Sequence, residues 1–394
     1  MRTMHLGLDI FLKNPSQYIE STSRVGLIAN PTTLTSNYIH AADAFYWSSE
    51  INLTTLFGPE HGIRGAAQDM IRVDGNNDPQ TGLPVISLYG PTFASLSPTF
   101  KDLENVDTLI FDIQDVGARY YTYGATMALA MQKAGELGIR LLVLDRPNPI
   151  GGVKVEGGGL ESGLENFCAL YHIPQRHGMT VGELAKLYRD SFSLKCELEV
   201  IPCVGWNRED YFEKTLLPWV MPSPNMPTID TAVVYPGMCL LEGTNLSEGR
   251  GTTKPFELFG APFINGYHLA EKLTTLELPG VVFRPVVFEP MFQKHAHKSC
   301  GGLQLHVTNR EEFRSYETGL AVIWAAKNLY PESFEWRTET YEFRNDVPAI
   351  DLLTGIAQVR AEIDRGESFQ VIYQLAQQGI TQYQQGRKAA LIYD

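Results

Sequence analysis

Residues 107–145 read DTLIFDIQDVGARYYTYGATMALAMQKAGELGIRLLVLD. Two short, mostly apolar runs, 107–113 and 140–145, bracket the segment 121–138. In that segment apolar residues return at helical spacing up to Gly138, a residue suited to a helix C-cap. Strand, helix, strand in that order, with strands that lack a polar face, predicts a parallel pair covered on both sides.

The same texture continues outward. RVGLIAN (24–30), INLTTLF (51–57), PVISLYG (84–90) and ELEVIPC (197–203) are strand-like, and HAADAFYWSS (40–49) suits a helix. HGMTVGELAKLYRDSF (177–192) predicts another helix, with Thr180 as N-cap and Glu183 at the capping-box spacing. DTAVVYPGMCLLEGT (230–244) is a further apolar run, grouped here with the strands. The predicted fold is α/β: a Rossmann-like, doubly wound, mostly parallel sheet. Near residue 270 the texture changes. PGVVFRPVVFEPMF and CGGLQLHVTN read as strands of a smaller α+β unit, followed by the helix ETGLAVIWAAKNLYP and a helical tail. The expected division is 1–270 and 271–394.

A chain of 394 residues, 44% hydrophobic and 20% charged, has the composition of an ordinary globular protein. Its net charge of −13 argues against nucleic acid or an anionic membrane as partner. The five cysteines are scattered with no C-x-x-C pair, which suits neither a zinc ribbon nor a disulfide framework. No stretch approaches a membrane span, and the first residues, MRTMHLGLDIFLKNPSQ, lack a signal-peptide core. As written the chain is expected in the cytoplasm, or in the periplasm or outside the cell if an export signal has been removed.

Ligands of open α/β sheets bind beyond the carboxyl ends of the strands. Five polar loops follow the proposed strands: Asn30-Pro31-Thr32; Gly58-Pro59-Glu60-His61-Gly62; 114–121 with Asp115, Arg119 and Tyr121; 146–152 after Asp145, with Asn148; and 242–251 with Glu242, Asn245, Glu248 and Arg250. Singly, each has a bland reading as turn chemistry, a cap or a local ion pair. Together, five such loops on one sheet edge make a site. The G-x-G-x-x-G, P-loop and G-x-S-x-G motifs are missing, and His295 and His297 are the only close histidine pair, so dinucleotide, phosphate, serine-hydrolase and metal readings all lack support. The remaining excess of carboxylates among Arg, Asn, Tyr and His suits glycosidic-bond chemistry, in which one carboxyl protonates the leaving oxygen and another activates water or stabilises the transition state. Glu60 stands for the first role, with His61 to orient or polarise it.

GPEHGIRG, FDIQDVGARYYTY, LDRPNPIGG, HGMTVGELA, PSPNMPT, YPGMCLLEGTNLSEGRGTTKPFELFGAP and CGGLQLHVT, in that order, resemble the exo-acting β-N-acetylmuramidases of glycoside hydrolase family 171 across essentially the whole chain. The resemblance implies release of N-acetylmuramic acid from the non-reducing ends of peptide-free peptidoglycan chains, without a cofactor or metal. It also implies that the second unit walls an active-site cleft. It places the catalytic glutamate on Glu60 and brings Asp115, Tyr121, Asp145, Asn148, Glu242, Asn245 and Glu248 to the sugar. Asp115 and Glu242 join His61 as further catalytic candidates, and Asn30, from the loop after the first strand, joins the substrate-binding ones. The lactyl carboxylate of muramic acid calls for a cation, with Arg64, Arg119 and Arg250 as candidates. The partner of Glu60, the stereochemical outcome and the oligomeric state stay open. The alternatives are a non-catalytic muropeptide-binding module and a sugar-nucleotide enzyme on the same fold.

Overall fold

The computed structural model describes residues 4–60, 62–65 and 77–394. Its first layer system is a six-stranded parallel sheet of β1 (Arg24–Ala29), β2 (Asn52–Gly58), β3 (Val85–Ser87), β4 (Thr108–Asp112), β5 (Arg140–Leu144) and β6 (Leu198–Ile201), in the order β3-β2-β1-β4-β5-β6. The order reverses between β1 and β4, the switch point at which such sheets open a crevice.

Period-two alternation sends the strand side chains to two separate cores. Leu27, Leu56, Ile110 and Leu142 pack under α1 (Gly7–Lys13) and α2 (Ala41–Trp47). Ile28, Phe57, Phe111 and Val143 pack under α3 (Tyr123–Leu137) and α4 (Val181–Ser191). With both faces covered, each strand reads as an unbroken apolar run, as the 107–145 stretch does. The caps follow expectation as well: Gly138 ends α3 at φ 68°, and Thr180 with Glu183 forms the reciprocal capping box of α4.

The second part of the chain opens with α5 (Ile229–Met238). A three-stranded antiparallel sheet follows, β7 (Leu258–Ala261), β8 (Val281–Phe288) and β9 (Cys300–Val307) in the order β7-β9-β8, with α6 (Gly266–Thr274) between β7 and β8. Then come α7 (Ser315–Leu329), α8 (Ala349–Thr354), α9 (Ala357–Asp364), α10 (Phe369–Leu375) and α11 (Ile380–Gly386). The tail returns to the first sheet, where the Tyr393 hydroxyl donates to Asp145 and Arg387 donates to the carbonyls of His177 and Gly178.

The 230–244 run corrects the strand reading. It is α5 followed by a 3₁₀ turn at Cys239–Gly243, with Thr228 capping the helix through the Thr231 amide. Residues 231–238 are all buried, so this helix has no polar stripe, and an apolar run without a stripe does not distinguish helix from strand.

Candidate active site

A cavity of about 640 Å³ opens at the C-terminal edge of the parallel sheet, against the second part of the chain. Glu60 lines it, two residues beyond the end of β2 at Gly58. The turn that carries Glu60 closes through the Gly62 amide on the Pro59 carbonyl at 2.9 Å, with Gly62 at φ 75°. Glu60 Oε2 accepts the Thr122 hydroxyl at 3.3 Å. Tyr120, Tyr121, Thr122 and Tyr123, from the loop after β4 and the start of α3, form the adjoining wall. Tyr121 meets Tyr123 and Tyr235 edge-on at 5.1 and 5.6 Å. Burial pushes the Tyr121 and Tyr123 hydroxyls well up, and the Glu60 and Asp115 carboxylates push them further. These phenols therefore stay protonated at neutral pH, and the Tyr123 hydroxyl donates to the Pro222 carbonyl at 2.6 Å.

A second wall holds Glu242, in the 3₁₀ turn after α5. One Glu242 oxygen accepts Arg250 Nη2 at 2.7 Å and the other accepts the Tyr341 hydroxyl at 3.0 Å, so the carboxylate is fixed at both ends. Arg250 sits between Gly249 at φ 79° and Gly251 at φ 82°. A Cβ on either would stand 2.3 Å from the Leu258 carbonyl or 2.7 Å from that of Phe292. The SEGRG stretch therefore needs both glycines to bring the guanidinium to Glu242. Behind it, burial pushes the Glu248 carboxyl up, but Lys294 at 3.0 Å and Arg250 outweigh that and hold it below the usual range. Among the described residues no group of three or more His, Cys, Asp or Glu side chains is placed to hold a metal ion.

Comparison with known proteins shows the family to which the chain belongs. Residues 25–230 match the family model described as exo-beta-N-acetylmuramidase NamZ, N-terminal, and residues 233–393 match its C-terminal counterpart. The chain belongs to the NamZ family of exo-β-N-acetylmuramidases. It is 47% identical over 387 residues to the peptidoglycan beta-N-acetylmuramidase NamZ of Bacillus subtilis (strain 168), covering 98% of this chain and 91% of that protein. Two DUF1343-family crystal structures from Bacteroides fragilis NCTC 9343 share the fold. One has a TM-score of 0.88 at 32% identity over the whole of both chains, the other 0.76 at 28% over 99% of each.

In this NamZ-family chain the cavity gathers Glu60, Tyr121, Glu242 and Arg250 from the residues singled out in the sequence. The others lie around it. Asp115 accepts the Gly117 amide at 2.6 Å and stands 3.2 Å from His177 Nε2, outside the lining. Asn30 is buried just past the end of β1, its side-chain oxygen Oδ1 accepting the amide and hydroxyl of Thr32. Arg64 pairs with Asp43 at 2.7 Å and Asp78 at 3.0 Å. Arg119 is buried and donates to the carbonyls of Leu353, Ile173 and Gly159. Asp145 collects donors from Thr180, Gly182 and Tyr393. Burial nevertheless pushes its carboxyl up to about 6, against those hydrogen bonds. Asn148 bonds the Met179 carbonyl and Ile150 amide, and Asn245 bonds Ser333 and Glu335. His61 lies outside the described residues.

The cavity also takes in residues that the sequence reading passed over. Ser223, Asn225 and Met226 come from the quoted PSPNMPT motif, to which no role was given. Arg337, Thr340, Tyr341, Glu342 and Phe343 come from the stretch between α7 and α8, where no motif stands.

Proposed function

We propose that this chain is an exo-acting glycoside hydrolase that removes terminal non-reducing β-N-acetylmuramic acid from peptidoglycan-derived glycans, with Glu60 as the general acid. The observation that carries this reading is the pairing of walls. Glu60, just past a strand end, and Glu242, fixed by Arg250 and Tyr341 in the second part of the chain, line one tyrosine-lined cavity.

In this mechanism Glu60 gives its proton to the glycosidic oxygen as the bond to the anomeric carbon breaks and the aglycone leaves as an alcohol. Water then bonds to the anomeric carbon and gives up a proton, and the Glu60 carboxylate takes up a proton to restore the acid. Positive charge develops on the sugar ring in the transition state. A carboxylate already held in place, as Glu242 is, stabilises that charge without having to reorganise. The protonated phenol of Tyr121 donates to a sugar oxygen.

The test uses aryl glycosides of β-N-acetylmuramic acid and β-N-acetylglucosamine, which differ by the lactyl ether. The wild-type protein should cleave the muramic substrate alone. Glu60→Gln should fold normally and lose about 10²- to 10⁴-fold in kcat. The loss should be smallest with the most acidic phenol as leaving group, because such a phenol needs least protonation. Near-normal turnover on a poor leaving group would remove Glu60 from the acid role.

A further inference from the structure

We propose that Arg337 is the residue that reads the lactyl carboxylate of the muramic acid ring, a specificity role that rests on the function proposed above. Of the three arginines considered from the sequence, two have their guanidinium groups committed outside the cavity and the third is neutralised within it. Arg64 serves Asp43 and Asp78, Arg119 serves three carbonyls, and Arg250 faces both Glu242 and Glu248.

Arg337 differs from all three. It lines the cavity, and among the described residues no carboxylate lies within ion-pairing distance of it. Among the described residues its side chain reaches only the Thr340 carbonyl at 3.4 Å and the face of Tyr341, whose ring centroid is 5.0 Å from the guanidinium carbon. Its backbone, in contrast, is held tightly. The Arg337 amide donates to the Gly243 carbonyl at 2.9 Å, its carbonyl accepts the Ala349 amide at 3.0 Å, and Trp336 bridges to Thr244. The guanidinium is thus registered to the residue next to Glu242, while its head keeps its donors available.

The surrounding charge calls for such a cation. The carboxyl groups in the cavity lining offer an anionic sugar no partner, whereas a local positive charge does. A guanidinium presents a planar fork that matches a carboxylate with two parallel hydrogen bonds, which an ester or amide carbonyl does not reproduce. In stem-bearing peptidoglycan this carboxyl is tied up as an amide. The same residue therefore sets the preference for a free lactyl group.

The experiment compares 4-nitrophenyl β-N-acetylmuraminide with its lactyl methyl ester on the wild-type protein, Arg337→Gln and Arg337→Lys. Wild type should favour the acid. Arg337→Gln should raise KM for the acid about 10- to 100-fold with kcat within a few-fold, and leave the ester nearly unchanged. Arg337→Lys should fall between, keeping charge without the fork. The unchanged ester rate in the same preparation reports that the variant is folded. Equal losses on acid and ester, or intact discrimination in Arg337→Gln, would overturn the assignment while leaving the muramidase reading standing. A wild-type protein that cleaves neither substrate would overturn both.

Discussion

Glu60 stands just past the end of a parallel strand, whereas Arg337 stands in an irregular stretch between α7 and α8 whose shape is set by distant partners. The two walls of the cavity are therefore held by different physics. On the first, backbone hydrogen bonds of a twisted sheet aim every strand end at one edge, and side chains there inherit their direction from strand order. On the second, Glu242 comes off a helix end, Arg250 lies between two left-handed glycines, and 337–343 hangs from bonds to Gly243 and Ala349. The first wall suits chemistry that must not move. The second suits selectivity, because its contacts change without disturbing the sheet.

If that division holds, motif arginines on the first wall act in architecture, and the largest stability effect should come from Arg119. Its guanidinium ties the loop after β4 to the Leu353 carbonyl at 2.7 Å and the Ile173 carbonyl at 3.0 Å, spanning both halves of the chain. Arg119→Met keeps the volume but leaves buried carbonyls without donors, and should cost about 2–4 kcal/mol in urea unfolding. Selectivity between muramic and glucosamine glycosides should survive in the folded fraction. Unchanged stability with lost selectivity would return Arg119 to the substrate and break the comparison.

Arg64 sharpens the same point with a smaller effect and a pH signature. Burial pushes the Asp78 carboxyl up, but Arg64 and the Thr81 donors outweigh it and hold it at about 2, below the ordinary 3.8. A folded-state value below the unfolded one means that the pair contributes fully above about pH 4, and that its contribution disappears as pH falls from 3.8 toward 2. Solvent reaches the Arg64 head, so Arg64→Ala should cost only about 1–2 kcal/mol at pH 7. Urea midpoints at pH 7 and pH 3 check this: the gap between wild type and variant should narrow at the lower pH. A gap that stays constant would show that the ion pair is not its source.

The sequence carried the first wall well for a physical reason. Strands covered on both faces leave unbroken apolar runs, and the polar residue after each run is a candidate by position alone. That logic reached Glu60 and Tyr121, and it also gathered Asn148 and Asp145, whose positions obey the rule while their side chains bond within the protein. Glu242 and Arg250 came through although the run before them is a helix, since a buried helix end delivers a loop to the edge as a strand does. Arg337 left no mark in the sequence. Its place depends on pairing with Gly243 and Thr244, far away in the chain, and neither periodicity nor local turn chemistry encodes such a contact.

The smallest expected effect concerns the strain of the second wall. Tyr341 and Arg344 exchange backbone hydrogen bonds at 2.8 and 2.9 Å around Glu342 at φ 47° and Phe343 at φ 66°. A two-residue hairpin with both central residues at positive φ normally takes Asn-Gly, because a side chain there costs on the order of 1 kcal/mol. Here both positions carry large side chains that line the cavity, and Phe343 is braced edge-on by Tyr89, Phe93 and Phe167. Glu342→Gly relieves one of the two strained positions and should raise stability by about 1 kcal/mol, less the extra freedom glycine gives the unfolded chain. The loosened turn should lower the preference for muramic over glucosamine glycosides a few-fold, with the effect of Glu60→Gln on turnover unchanged. A variant less stable by more than about 1 kcal/mol, beyond what glycine's unfolded-state freedom explains, would show that contacts of Glu342 outweigh its backbone strain. The second wall would then be as rigidly determined as the first, and its assignment to selectivity would lose its physical basis.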